Sequence, residues 1–231
     1  MALTPQSNDA FFREVDDELR RDRLTGFWLR WGRLVAAAVV VALIVFAGYL
    51  WWKHSREEAA GRDGEALVGA LETAERGQPD KAVPALKALA TANAPGYRAS
   101  SALAVAAIQQ QKGDTKAALA GYRAVAADTG LAAPFRNLAL IRATAIEFDS
   151  LPPAEVVARL KPLAVAGNPW FGSAGEMTAV AYLKMNRTDL AGPLFGAIAR
   201  DTHVPDTIRN RATQMAGALG VDAVASSEGS N

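Results

Sequence analysis

Leu34 to Trp52 is a run of nineteen residues without a charge, LVAAAVVVALIVFAGYLWW. A chain in hydrocarbon has no water to satisfy its backbone, so such a run is helical. At about 1.5 Å per residue it extends about 28 Å, the depth of a bilayer core. Trp28 and Trp31 precede it, and Tyr49, Trp51 and Trp52 close it. Aromatic residues at both ends suit the two membrane interfaces. The run is too long and starts too late for a cleaved leader, and no small-x-small site follows Trp51-Trp52-Lys53-His54.

Charge sets the expected orientation. Arg20, Arg21, Arg23, Arg30 and Arg33 lie close on the N-terminal side, against Lys53, Arg56 and Arg62 beyond the run. The excess places the N-terminus in the cytoplasm and the chain from Glu57 onward outside it. Phe11, Val15 and Leu19 recur at helical spacing before the run. Acidic residues crowd the first half of that segment and arginines the second, as the helix dipole favours. The segment reads as a charged juxtamembrane helix that fixes topology, or as a cytoplasmic docking element. The expected divisions are 1–33 as this juxtamembrane segment, 34–52 as the transmembrane helix, 53–221 as a repeat domain and 222–231 as a disordered tail.

The C-terminal part is alanine-rich and lacks alternating β-branched runs, so the fold class is all-α. Four segments share one pattern: a turn, a small residue, a bulky residue four later and an aliphatic three after that. Gly77-Gln-Pro-Asp80 precedes Ala82, Leu86 and Leu89; Gly113-Asp114 precedes Ala118, Tyr122 and Val125. Leu151-Pro152-Pro153 precedes Val156, Leu160 and Leu163; Asn186-Arg187-Thr188-Asp189 precedes Ala191, Phe195 and Ile198. The small residues at 82, 118, 156 and 191 are spaced by 36, 38 and 35. That period suits a pair of helices per repeat, tetratricopeptide-like. The small residue lets helix B approach helix A, and the bulky one fills the space between them. Gly113 and Asn186 supply helix stops, and Pro95, Pro134, Pro169 and Pro205 separate repeats. Pro205 to Leu219 reads as a capping helix, and Ala225 to Asn231 as the disordered end.

Chemistry-bearing constellations are sparse. There is no cysteine, and the two histidines, His54 and His203, lie in the membrane flank and a distant loop. No histidine pair is therefore expected to hold a metal or form a triad, and no phosphate-binding glycine loop occurs. Asp16-Asp17 and Glu57-Glu58 are adjacent on helices and do not face each other. Seventeen basic and eighteen acidic residues follow position 56, so no basic face for nucleic acid is expected. No cofactor, no small-molecule substrate and no enzyme activity are expected. Trp170 and Phe171 begin a helix A, where they are expected to pack on the preceding repeat.

Phe12-Arg-Glu-Val-Asp-Asp-Glu-Leu-Arg-Arg-Asp-Arg-Leu24, followed by Phe27-Trp28-Leu29-Arg30-Trp31-Gly32, leads directly into the span. With the Gly77 and Gly113 repeats and Asn168-Pro-Trp-Phe171, it resembles the tetratricopeptide-like ancillary Sec translocon subunit family of Gram-negative bacteria. The resemblance implies a single-span inner-membrane protein with a periplasmic repeat domain. Its implied partners are the translocon, periplasmic chaperones and exported clients, with membrane lipid around the span. The alternative is an envelope scaffold for cell division or another assembly, without chaperone work. Taking Gly113 and Asn186 as equivalent turns, the helix A face turned from helix B carries Leu103, Gln110, Ile141, Phe148, Glu176 and Leu183. These six are the expected concave groove, which requires Leu103, Ile141 and Phe148 to be partly exposed; the alternative is that these three pack against neighbouring helices.

Overall fold

The computed structural model describes the backbone of residues 6–222 and the side chains of residues 31–222. Within that range the chain is helical throughout, with no strand. The N-terminal docking reading and the disordered end at Ala225 lie outside the described side chains and residues respectively.

Two compact units divide at Gly61 and Arg62. The first is helical from Gln6, within α1 (Gln6–Glu75). It contains a stretch of mean hydropathy 2.6 whose side chains are unburied, so this helix is long and apolar enough to cross a membrane. At its far end the Tyr49 and Trp52 rings lie 6.4 Å apart, and the Arg56 guanidinium sits 4.3 Å over the Trp52 ring. A cation over an indole face keeps the aromatic end and the charged end of the helix side by side.

The second unit begins with the last turns of α1 and continues through eight further helices. These are α2 (Pro79–Leu89), α3 (Pro95–Gln111), α4 (Thr115–Ala127) and α5 (Ala133–Glu147), then α6 (Pro153–Leu160), α7 (Phe171–Lys184), α8 (Thr188–Arg200) and α9 (Asp206–Ala218). They form consecutive pairs in which each helix packs on the next, and α9 closes the stack against α8 and α7. All twelve residues of the small–bulky–aliphatic pattern are buried. Tyr122 sits among Ala99, Ala106, Ala118 and Val125, and Phe195 among Phe171, Ala179, Ala191 and Ile198. The pattern therefore marks the inner face of every helix B.

The turns explain why the pairs form. Gly77, Gly113 and Asn186 have φ of 79°, 80° and 56°. In each, two amides reach back to the preceding helix, as with Gly113 N to Gln110 O at 3.1 Å and Asp114 N to Gln109 O at 2.9 Å. This is the Schellman arrangement, which needs a left-handed residue and suits glycine or asparagine. Asp114 then caps α4, its carboxylate accepting from Ala117 N at 3.0 Å. At Gly121 the helices approach so closely that a Cβ would lie 3.0 Å from Ala106 Cβ.

The third pair differs. Phe148–Pro152 is five residues long, against three in Lys112–Asp114 and in Met185–Arg187, and no residue of it has positive φ. Glu147, almost fully buried, ties this joint together by pairing with Arg123 of α4 and with Arg159 of α6, the latter at 2.9 Å. Pro95 and Pro134 fall in the first turn of α3 and α5, and Pro205 immediately precedes α9. There their missing N–H costs nothing.

Candidate functional site

Helices α3 and α5 are the A helices of neighbouring pairs, and both pack on α4. Their exposed sides diverge to leave a groove of about 590 Å³. Leu103, Ala104, Ala107, Gln110 and Gln111 form the α3 wall, Leu138 and Arg142 the α5 wall. Tyr122 lies at the floor, where its hydroxyl donates to Gln110 Oε1 at 3.2 Å. That bond takes one lone pair of the Gln110 amide oxygen and leaves its NH₂ available to donate. Burial pushes the Tyr122 phenol up from its ordinary pKa, and the positive charge of Arg142 opposes that rise. The groove thus has an apolar lining, amide donors and one exposed cation, Arg142.

The six positions expected to line one face are divided by the structure. Leu103 and Gln110 both line this groove. Ile141 does not: it is 7% exposed and packs with Val156, Leu160, Leu163, Ala174 and Ala181. Phe148 is half-buried against the same cluster, and Lys184 lies 4.4 Å over its ring while pairing with Asp149 at 2.8 Å. Glu176 accepts two bonds of 2.7 Å from Arg211 of α9, which satisfies its carboxylate. Leu183 packs against the Phe171–Phe195 cluster.

For Ile141 and Phe148 the division has a geometric cause. The longer Phe148–Pro152 connection shifts α5 relative to its B helix, so counting back from the turn lands on the wrong face. The α5 positions that face α3 across the groove are Leu138 and Arg142, 35 residues after Leu103 and Ala107. In the same frame Ile141 corresponds to Ala106, which is also buried. Arg142 was the residue missed. The proline-bearing turn, with no glycine or asparagine to mark its helix stop, was the signal that the frame changes there.

A second hollow of about 540 Å³ lies at the loop edge, between the α6–α7 and α8–α9 connections. Its rim includes Trp170, Ser173, Asp201 and His203. The Asp201 carboxylate accepts from the His203 backbone N–H at 2.9 Å, and the His203 ring nitrogen Nδ1 lies 3.1 Å away. The backbone bond, more than the ring, holds the Asp201 carboxyl below its ordinary pKa. Trp170 packs on the preceding pair as expected, whereas Phe171 turns into its own pair against Phe195 and Ile198. His54 lies 3.3 Å from Glu58, far along the sequence from His203.

The residues 25–193 match the family model described as tetratricopeptide repeat-like domain. No curated protein and no solved structure matches the chain. Domains of this kind are typically non-catalytic scaffolds for protein–protein interaction. The match covers most of the sequence, from within α1 ahead of the apolar run to the middle of α8, and the chain belongs to the tetratricopeptide repeat-like domain family.

Proposed function

We propose that this protein is a membrane-anchored interaction scaffold at the Sec translocon, which assists exported proteins by binding emerging chains or the chaperones that receive them. Leu34–Trp52 spans the inner membrane, the N-terminus is cytoplasmic, and the repeat domain stands in the periplasm. The observation that carries the reading is the open groove between α3 and α5, apolar through Leu103 and Leu138 and polar through Gln110 and Arg142. A groove of this make-up holds an extended segment without demanding one sequence. Support for the address comes from the arginine excess before the span. The resemblance of residues 12–32 to translocon ancillary subunits supports the partner.

A photocrosslinking residue placed at Leu103 in the full-length protein, in native membranes, tests this. Translocon subunits, periplasmic chaperones or exported precursors among the adducts are the expected result. Adducts confined to cell-division proteins would replace it with the envelope-scaffold alternative.

A further inference from the structure

From Arg76 to Arg211 the other arginines each reach an oxygen partner. Arg98 lies 3.8 Å from Asp128, Arg159 bonds Glu147 and Glu155, and Arg200 bonds the Asp222 carbonyl. Arg136 and Arg142, both on α5, have no carboxylate within ion-pair distance among the described residues. Arg136 has its Nε buried, whereas Arg142 is exposed and stands on the wall of the groove. No aspartate or glutamate lines that groove. Its hydrogen-bonding groups are the Arg142 guanidinium, the two glutamine amides and the Tyr122 hydroxyl. That hydroxyl already donates to Gln110 Oε1, so the Gln110 amide presents N–H groups. An unpaired guanidinium beside amide donors, with leucines on both walls, is complementary to one carboxylate flanked by aliphatic side chains.

We propose that the α3–α5 groove selects extended protein segments carrying an acidic side chain between aliphatic residues, with the carboxylate on Arg142 and Gln110. This rests on the protein-capture reading above and names the partner chemistry of the same site. The carboxylate is that of an internal residue, not of a chain end. One cation is present, and the leucines on both walls call for apolar residues on both sides of the charge.

Fluorescence anisotropy on the full-length protein in detergent tests this, with a labelled, C-terminally amidated peptide Gly-Ser-Leu-Glu-Leu-Ser-Gly and its Glu→Gln counterpart. The glutamate peptide should bind roughly tenfold tighter, the worth of one charge-assisted hydrogen bond, and that preference should shrink with salt. Arg142→Gln should bind both peptides equally while its helical melting transition stays that of the wild type. Retention of the preference in Arg142→Gln would overturn the assignment to this residue. If both peptides bind the wild type equally and Leu103→Asp weakens both, selection by charge is overturned and protein capture stands. If neither peptide binds, both fall. A further gain in affinity when the terminal amide is replaced by a free acid would move the carboxylate to the chain end and overturn the internal assignment.

Discussion

Phe195 and Tyr122 occupy the same place in their pairs and differ by one oxygen, which makes them a useful contrast. Phe195 is 1% exposed in an entirely apolar cluster. Phe195→Ala should lower the unfolding free energy by about 3–5 kcal/mol, measured by urea denaturation. A change under about half a kcal/mol would show that Phe195 is not between the helices. Tyr122 carries a hydroxyl that bonds Gln110 and a phenol whose pKa is raised by burial. A raised pKa means that folding favours the protonated phenol. Its stabilising contribution is complete below the ordinary value near 10 and is lost as pH climbs through the folded value. The wild type should therefore lose stability steeply above about pH 10, and Tyr122→Phe should lose less over that window in pH-dependent melting. The buried partners of these residues were legible because bulk and spacing alone decide them. The Arg142 site was not, because whether an arginine is paired depends on neighbours brought from other helices.

Schellman turns at Gly77, Gly113 and Asn186 set three of the helix pairs, and they respond differently to substitution. Gly113 has φ of 80° with open space around an added Cβ, so Gly113→Ala meets backbone strain and no clash. It should cost about 1–2 kcal/mol. Asn186 already tolerates the left-handed region, and Asn186→Gly should change the melting transition by no more than a few tenths of a kcal/mol. Equal, negligible effects at both sites would show that the turn geometry is not what holds the pairs. Two of these turns fixed the repeat frame in the sequence, and the frame failed where the turn was absent. At Phe148–Pro152 extra residues replace the left-handed stop, and Ile141 packs into the core while its neighbours Leu138 and Arg142 face the groove. The joint there is held instead by Glu147 between Arg123 and Arg159. Such a charge bridge has no signature in periodicity, because its three members lie on three helices.

For the whole molecule, the proposed orientation makes one further expectation. A reporter active only outside the cytoplasm, fused after Asn231, should be active in cells, whereas a cytoplasm-only reporter at that position should be silent. The reverse pattern would invert the topology and remove the periplasmic reading with it. The all-helical class was legible from alanine content and spacing, and the helix long and apolar enough to cross a membrane from a single uncharged run. The closing helix was legible from Pro205 and the residues after it. What the stack leaves loose is its α6–α7 connection. Between Leu160 and Phe171 the chain leaves helical geometry, with Leu163 tucked inward, Val165 55% exposed and Gly167 at φ 84° facing open space. No neighbouring helix depends on Val165 or Ala166 for its packing, so chain added there leaves both flanking pairs intact. That makes this bend the natural seat for an epitope tag or a dye, a handle on the repeat domain that leaves the α3–α5 groove untouched.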